Sequence, residues 1–319
     1  MSKFALAAAT GAALICANRA LAVITLDGSI AGDNYGPARA VQTVQTGFGD
    51  NLSELNAGYA RIDGGNLVLV LTGQVENNFN KLNIFIDSKA GGQNTVLPDA
   101  NSGGNNPTND GWAFKYSNNQ VNGGFTFDAG FTADYMLIAR NGFDGSINRF
   151  DLDFATVGGG AGAFVAAGNI FSGSNTGSNA AALPNGVGAA YDNSNTGGVT
   201  GGNGAADQGA AAAVQTGLEL SIPLSAIGSP GVGDTIRISA HINGSNHDFL
   251  SNQSLGGFAP PQGNLGGDGN GNFNGSVALI NFNNFAGEQF FTLVVPEPAS
   301  VSVLSVAGVC LLARRRGAR

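Results

Sequence analysis

Charge is scarce in this sequence, and reactive side chains are scarcer. Only 11% of the 319 residues are Asp, Glu, Lys or Arg, and the chain contains 2 cysteines, 2 histidines and 1 tryptophan. The cysteines, Cys16 and Cys310, lie near the two ends, so the region from about Val23 to Leu293 supports neither a disulfide framework nor a thiolate metal site. Long apolar runs are confined to the same two ends. Nucleophile and nucleotide motifs are missing as well: no Gly-x-Ser-x-Gly is found, and Gly158-Gly159-Gly160 lacks the Lys-Ser/Thr that a phosphate-binding loop requires.

The amino terminus reads as a secretory signal peptide over residues 1–22. Lys3 precedes an apolar run from Phe4 to Ala17, and Ala20-Leu21-Ala22 supplies small residues for cleavage, with Ala20 and Ala22 as the recognised pair. Ile15 stands before Cys16 where a lipoprotein signal wants a small side chain, which excludes lipidation there. At the other end, Val295-Pro296-Glu297-Pro298 leads into a short apolar stretch ending at Ala313, followed by Arg314, Arg315 and Arg316. That stretch is about 15 residues, short of the ~20 a full span wants, and the arginines favour the cytoplasmic side.

The interior is acidic. Removing Lys3, Arg19, Arg314, Arg315, Arg316, Arg319 and Glu297 from the totals of 14 basic and 22 acidic residues leaves 8 against 21, a net charge of −13. Such a field repels phosphate backbones and excludes nucleic acid as a partner. With 51 glycines, each costing a helix about 1 kcal/mol relative to alanine, the regular structure is expected to be strands. One β-domain over residues 23–293 with one core accounts for the length.

Strands are expected at Ala38 to Val44, Ala57 to Ile62 and Asn66 to Thr72, the last two joined as a hairpin through Asp63-Gly64-Gly65. Leu67 to Leu71 is apolar on both faces, as a central strand requires. Further strands are expected at Leu82 to Asp87, Asp134 to Ala139, Phe150 to Phe154, Thr216 to Pro223, Thr235 to Ile242 and Gln289 to Leu293. In Phe150-Asp151-Leu152-Asp153-Phe154 the alternation predicts buried aromatics and wet acids. Residues 88–110 read as a loop. The Gly/Ala/Asn/Ser-rich stretch from about Gly158 to Ala213 reads as a mobile loop, with small residues lining an edge strand as the competing reading. The fold class is an all-β, antiparallel β-sandwich of jelly-roll type with long Gly/Asn-rich loops.

His241, His247 and Asp248 invite a metal or base-acid reading, but their spacing matches no zinc motif, and a structural role is expected. Asp87, Asp110, Asp134, Asp151 and Glu219 are the carboxylates best placed for acid-base work, although acids at strand ends usually face solvent or bond loop backbone. Asp268 to Asn274 places oxygen side chains at alternate positions, yet Phe273 and Leu279 stand where a calcium loop needs Gly and Glu. A solvated turn is expected there, so no cofactor is assigned and the metal ligands stay unknown.

Two resemblances carry these readings further. Val295-Pro296-Glu297-Pro298, the apolar run and Arg314-Arg315-Arg316 closely resemble the PEP-CTERM sorting tail of exported bacterial proteins. The resemblance covers residues 294–319. It implies an exosortase-type membrane protease as partner, a transient inner-membrane anchor, and delivery to the cell surface or extracellular matrix of a Gram-negative-type bacterium. Leu26-Asp27-Gly28 with Tyr35 and Ala38, Phe85-Ile86-Asp87, Ala133-Asp134-Tyr135 and the Leu218 to Leu224 strand resemble the family 9 carbohydrate-binding module fold. That likeness implies a sandwich and leaves room for a structural calcium, for instance at Asp87 and its loop. Members that bind sugar clamp it between tryptophans, whereas this chain has only Trp112. The expected function is a non-enzymatic structural or adhesive matrix component. Its alternative is a non-catalytic carbohydrate-binding module holding exopolysaccharide through Trp112 and Tyr116.

Overall fold

The computed structural model describes residues 24–98, 112–117, 123–146, 148–158, 169–172, 180–182, 186–266 and 276–297. In chain order the strands are β1 (Ala40–Val41), β2 (Glu54–Asp63), β3 (Asn66–Gln74), β4 (Asn78–Asp87), β5 (Tyr135–Phe143), β6 (Asn148–Thr156), β7 (Asn169–Ser172), β8 (Ala180–Ala182), β9 (Gly188–Tyr191), β10 (Gly217–Pro223), β11 (Thr235–Asn243), β12 (Leu250–Leu255) and β13 (Phe291–Val294). Two short helices accompany them, α1 (Trp112–Ser117) and α2 (Gln208–Ala213). One sheet runs β1-β2-β3-β10-β9-β8; the other runs β12-β11-β4-β5-β6-β7, with β13 also pairing to β11. All the strand pairings are antiparallel. The pair β3/β10 lies in the first sheet and its continuation β4/β11 in the second, so a two-stranded ribbon crosses from one sheet to the other, as in a jelly roll.

The expected β2–β3 hairpin forms with Asp63 opposite Asn66. Gly64 and Gly65 have φ of 55° and 84°, the left-handed pair that a two-residue turn needs. Leu67, Leu69 and Leu71 enter the core between the sheets, facing Leu82, Ile84 and Ile86 of β4 and Phe150, Leu152 and Phe154 of β6. Val68 and Val70 point the other way and are covered by Tyr35, Tyr59 and the amino-terminal arm. The outer face of the second sheet is covered too. Phe85, Met136 and Ile138 pack there against α1 and the loops around Phe125, Phe127, Phe258 and Phe282, forming a second, aromatic core.

Several expectations are corrected. The first strand shortens to Ala40–Val41 because Gln42 turns its amide oxygen back onto the N–H groups of Thr43 and Val44, withdrawing them from the ladder. Asp151 and Asp153 are not wet: they are 3% and 2% exposed. Arg140, opposite Asp151 on β5, lies 2.6 Å from Asp153 and 3.4 Å from Asp151, while Arg149 lies 2.7 Å from Asp151, so paired cations replace water. Within the stretch read as a mobile loop, β7, β8, β9 and α2 are ordered, with β9 paired to β10 and α2 capped by Asp207. The competing edge-strand reading therefore holds for its described part. Strand β12 was not anticipated, since Ser251-Asn252-Gln253-Ser254 carries no apolar alternation. Finally the domain extends past Leu293, because Val295 is 5% exposed and belongs to the central core.

Candidate functional site

The second sheet presents a row of polar side chains to its covered outer face. Asn83 on β4 pairs with His241 on β11, and Asn243 follows on the same face. Helix α1 sets Tyr116 above them. Its hydroxyl accepts from Asn83 Nδ2 at 2.6 Å and Asn243 Nδ2 at 3.2 Å and meets His241 Nε2 at 2.8 Å. With two amides donating, the phenolic hydrogen goes to Nε2, which puts the imidazole proton on Nδ1. Phe85 stacks on His241 at 5.6 Å, and Trp112 meets Phe85 edge-on at 6.1 Å. Burial, followed by the influence of His247, lowers the His241 pKa to about 3, and burial raises that of Tyr116. Both groups are therefore neutral near pH 7, and proton transfer from the phenol to the ring is strongly uphill. The hydrogen bonds through the Tyr116 hydroxyl make the centre a brace that ties α1 to the sheet.

Trp112 and Tyr116, expected to contact a glycan, are both fully buried in this centre, so neither presents a ring face to a ligand. The cause is local. Their i, i+4 spacing on α1 places both on the face that closes the aromatic core, while Lys115 stays outside and pairs with Asp248 at 3.0 Å. Among the described residues, Trp112 Nε1, Asn83 Oδ1, Asn243 Oδ1 and His241 Nδ1 have no hydrogen-bond partner.

The candidate carboxylates are dispersed and occupied. Glu219 on β10 accepts from the N–H groups of Asp27 and Gly28, each at 2.8 Å, and from the Tyr35 hydroxyl at 2.5 Å. Leu26-Asp27-Gly28 is thus a clasp that fastens the amino-terminal arm over the first sheet. Gly28 is required there: its φ is 84°, and a Cβ would stand 2.6 Å from Asp192 N. Burial raises the Glu219 pKa, with Tyr35 and the two N–H groups opposing it. Asp87 accepts from Thr132 N at 3.1 Å and Arg237 Nη1 at 3.2 Å, and Asp134 Oδ2 accepts from Ser88 N and Lys89 N. These contacts hold the loop after β4 in place. Among the described residues no three His, Cys, Asp or Glu side chains gather as a metal ion would need.

The open surface offers shallow grooves. One of about 610 Å³ is lined by Thr43, Asp207, Gln208, Phe258 and Pro260, and one of about 380 Å³ by glycines with Asn203, Asn252 and Asn264. A third, about 450 Å³, borders Asp87, Lys89, Asp234 and Arg237. At the carboxyl end, Val295 donates its N–H to Asp234 O at 2.9 Å and accepts from Gly233 N at 3.0 Å. Pro296 and Glu297 follow directly and are exposed. Ala20, Ala22, Asp110, the run from Asp268 to Asn274, Pro298, Arg314, Arg315 and Arg316 lie outside the described residues. Sequence reasoning missed the structural role of Val295 and the pairing of Tyr35 with Glu219, because neither lies within one element. No family model, curated protein or solved structure matches the chain.

Proposed function

We propose that this chain is an exported structural or adhesive protein of the cell surface or extracellular matrix, released from a membrane-held precursor by an exosortase-type protease acting on its tail. The observation that carries the reading is the exit of the chain. Among the described residues the last strand ends at Val294, Val295 is the last buried residue, and Pro296 and Glu297 follow it directly and are exposed. The sandwich thus leads directly into the exposed Pro296-Glu297 pair, which supports the reading.

The internal use of polar side chains supports a non-catalytic role. His241, Glu219, Asp87 and Asp151 are each engaged by named partners in bracing loops, arms or strands. The carbohydrate-binding alternative loses its aromatic platform with the burial of Trp112 and Tyr116. Intact-mass measurement on the extracellular form tests the proposal. The expected product lacks Arg314 to Arg319, and surface protein still carrying them would refute it.

A further inference from the structure

We propose that the folded sandwich itself sets the upstream limit of tail processing: while the domain is folded, no bond from Phe291 to Pro296 is open to a protease, and the released protein keeps Val295. The inference rests on the tail-processing reading for its biological setting, but its physical content lies in β13. Strand β13 is zipped onto β11, with Ile238 opposite Phe291, Arg237 opposite Thr292, Ile236 opposite Leu293 and Thr235 opposite Val294. Phe291, Leu293 and Val295 are buried in the central core, and Thr292 and Val294 point outward.

A protease grips its substrate as an extended strand and needs free N–H and C=O groups on both sides of the scissile bond, so a paired and buried segment must first unfold locally. Val295 is held on both sides: its N–H by Asp234 O and its C=O by Gly233 N. The Val295–Pro296 bond therefore has its carbonyl occupied. Pro296 has no N–H to continue the ladder and ends the pairing. The first residue free of the fold is therefore Pro296, followed by exposed Glu297. Although Val295 begins the sorting motif in sequence, in the structure it is the latch that closes the domain. The motif presented to the enzyme starts one residue later.

The full chain, expressed in a host that releases it, is assayed by intact mass. A released form ending at Pro296 or beyond, without the arginines, is the expected result. A form ending at Val295 or earlier would overturn the inference and leave the tail-processing reading standing. Retention of Arg314 to Arg319 would refute that reading alone, because a second measurement decides the inference without it. Brief digestion of the purified full chain with a broad-specificity protease should give a first carboxyl-terminal cut no earlier than the Pro296–Glu297 bond. A cut within residues 291–295 in protein whose melting transition is intact would overturn it. Val295→Asp should lower the melting temperature and move the first cut upstream into β13, whereas the outward-facing Thr292→Asp should not move it. An unchanged digestion pattern in Val295→Asp would show that Val295 is not the latch.

Discussion

His241 is held neutral by its surroundings. Phe85, Phe125 and Phe282 surround the ring, leaving an imidazolium no water to solvate it, and its pKa falls to about 3. Since the folded value lies below the unfolded one, the unfolded chain binds a proton between them that the native chain refuses. Stability therefore falls as pH falls through that window, by about 1.4 kcal/mol per unit from this group. Glu54, Asp87 and Glu219 act in the opposite sense, because burial raises their pKa values and the native state takes up their protons more readily. Comparison with His241→Gln isolates the histidine. On moving from pH 7 to pH 5, urea unfolding should show the wild type losing about 2 kcal/mol more than the variant. Equal losses would mean that His241 does not change protonation on unfolding. Trp112 belongs to the same centre, and Trp112→Ala should cost about 3–5 kcal/mol of stability by emptying a fully buried site. A variant of unchanged stability that lost glycan binding would restore the carbohydrate-binding reading. Asp151→Asn should cost about 1–2 kcal/mol, since half-exposed Arg149 loses the charge of its nearest carboxylate while Arg140 keeps its pair with Asp153. Thermal melts of the two proteins check it.

At the scale of elements, sequence pattern was informative wherever one face of a strand is apolar. Leu67 to Leu71, Leu82 to Ile86 and Phe150 to Phe154 disclose their strands because apolar side chains at period two can only be buried on a pleated surface. The same pattern misjudged Asp151 and Asp153, because alternation specifies two faces and is silent on whether the second is also covered. Here cations from β5 and β6 make that covered face tolerable for acids. Strand β12 was illegible for a related reason. Its Asn252 is buried not for its own hydrophobicity but because its amide serves the backbone of three separate segments, Gln45 and Gly47 in one, Gly202 in the second and Gln262 in the third. No local window contains that information. Asn252→Leu keeps the volume and removes the partners, so it should destabilise the protein by about 2–4 kcal/mol through orphaned backbone groups. A denaturation curve unchanged from wild type would show that these loops satisfy one another without it. The candidate site divides in the same way: the two histidines stand out in the sequence by their rarity, whereas the burial of Trp112 and Tyr116 depends on how α1 docks, which a six-residue helix does not encode alone.

At the scale of the whole molecule, the chain is an acidic, loop-rich sandwich whose two ends meet different fates. The amino-terminal arm is drawn over the first sheet by Glu219 and Tyr35, and the carboxyl end leaves from an edge of the second sheet at Val295. Val295 and Glu297, two positions apart, thus fall on opposite sides of the domain boundary, and substitution separates their roles. Glu297 is exposed, beyond the end of β13. On the proposed tail processing, Glu297→Ala should leave the melting temperature of the domain unchanged while the full-length chain accumulates in the membrane fraction, because the protease would lose its recognition residue and the apolar segment would remain. Val295 is buried in the central core, and Val295→Asp should lower stability by several kcal/mol, of order 3 or more, because an unpaired carboxylate would enter an apolar site. Fractionation and thermal melts on both variants give four readings from two proteins. If Glu297→Ala were released normally, the tail would not be read through its glutamate. If instead Glu297→Ala lowered stability as much as Val295→Asp, the domain would extend beyond Val295, and the boundary drawn from the β11–β13 ladder would be misplaced.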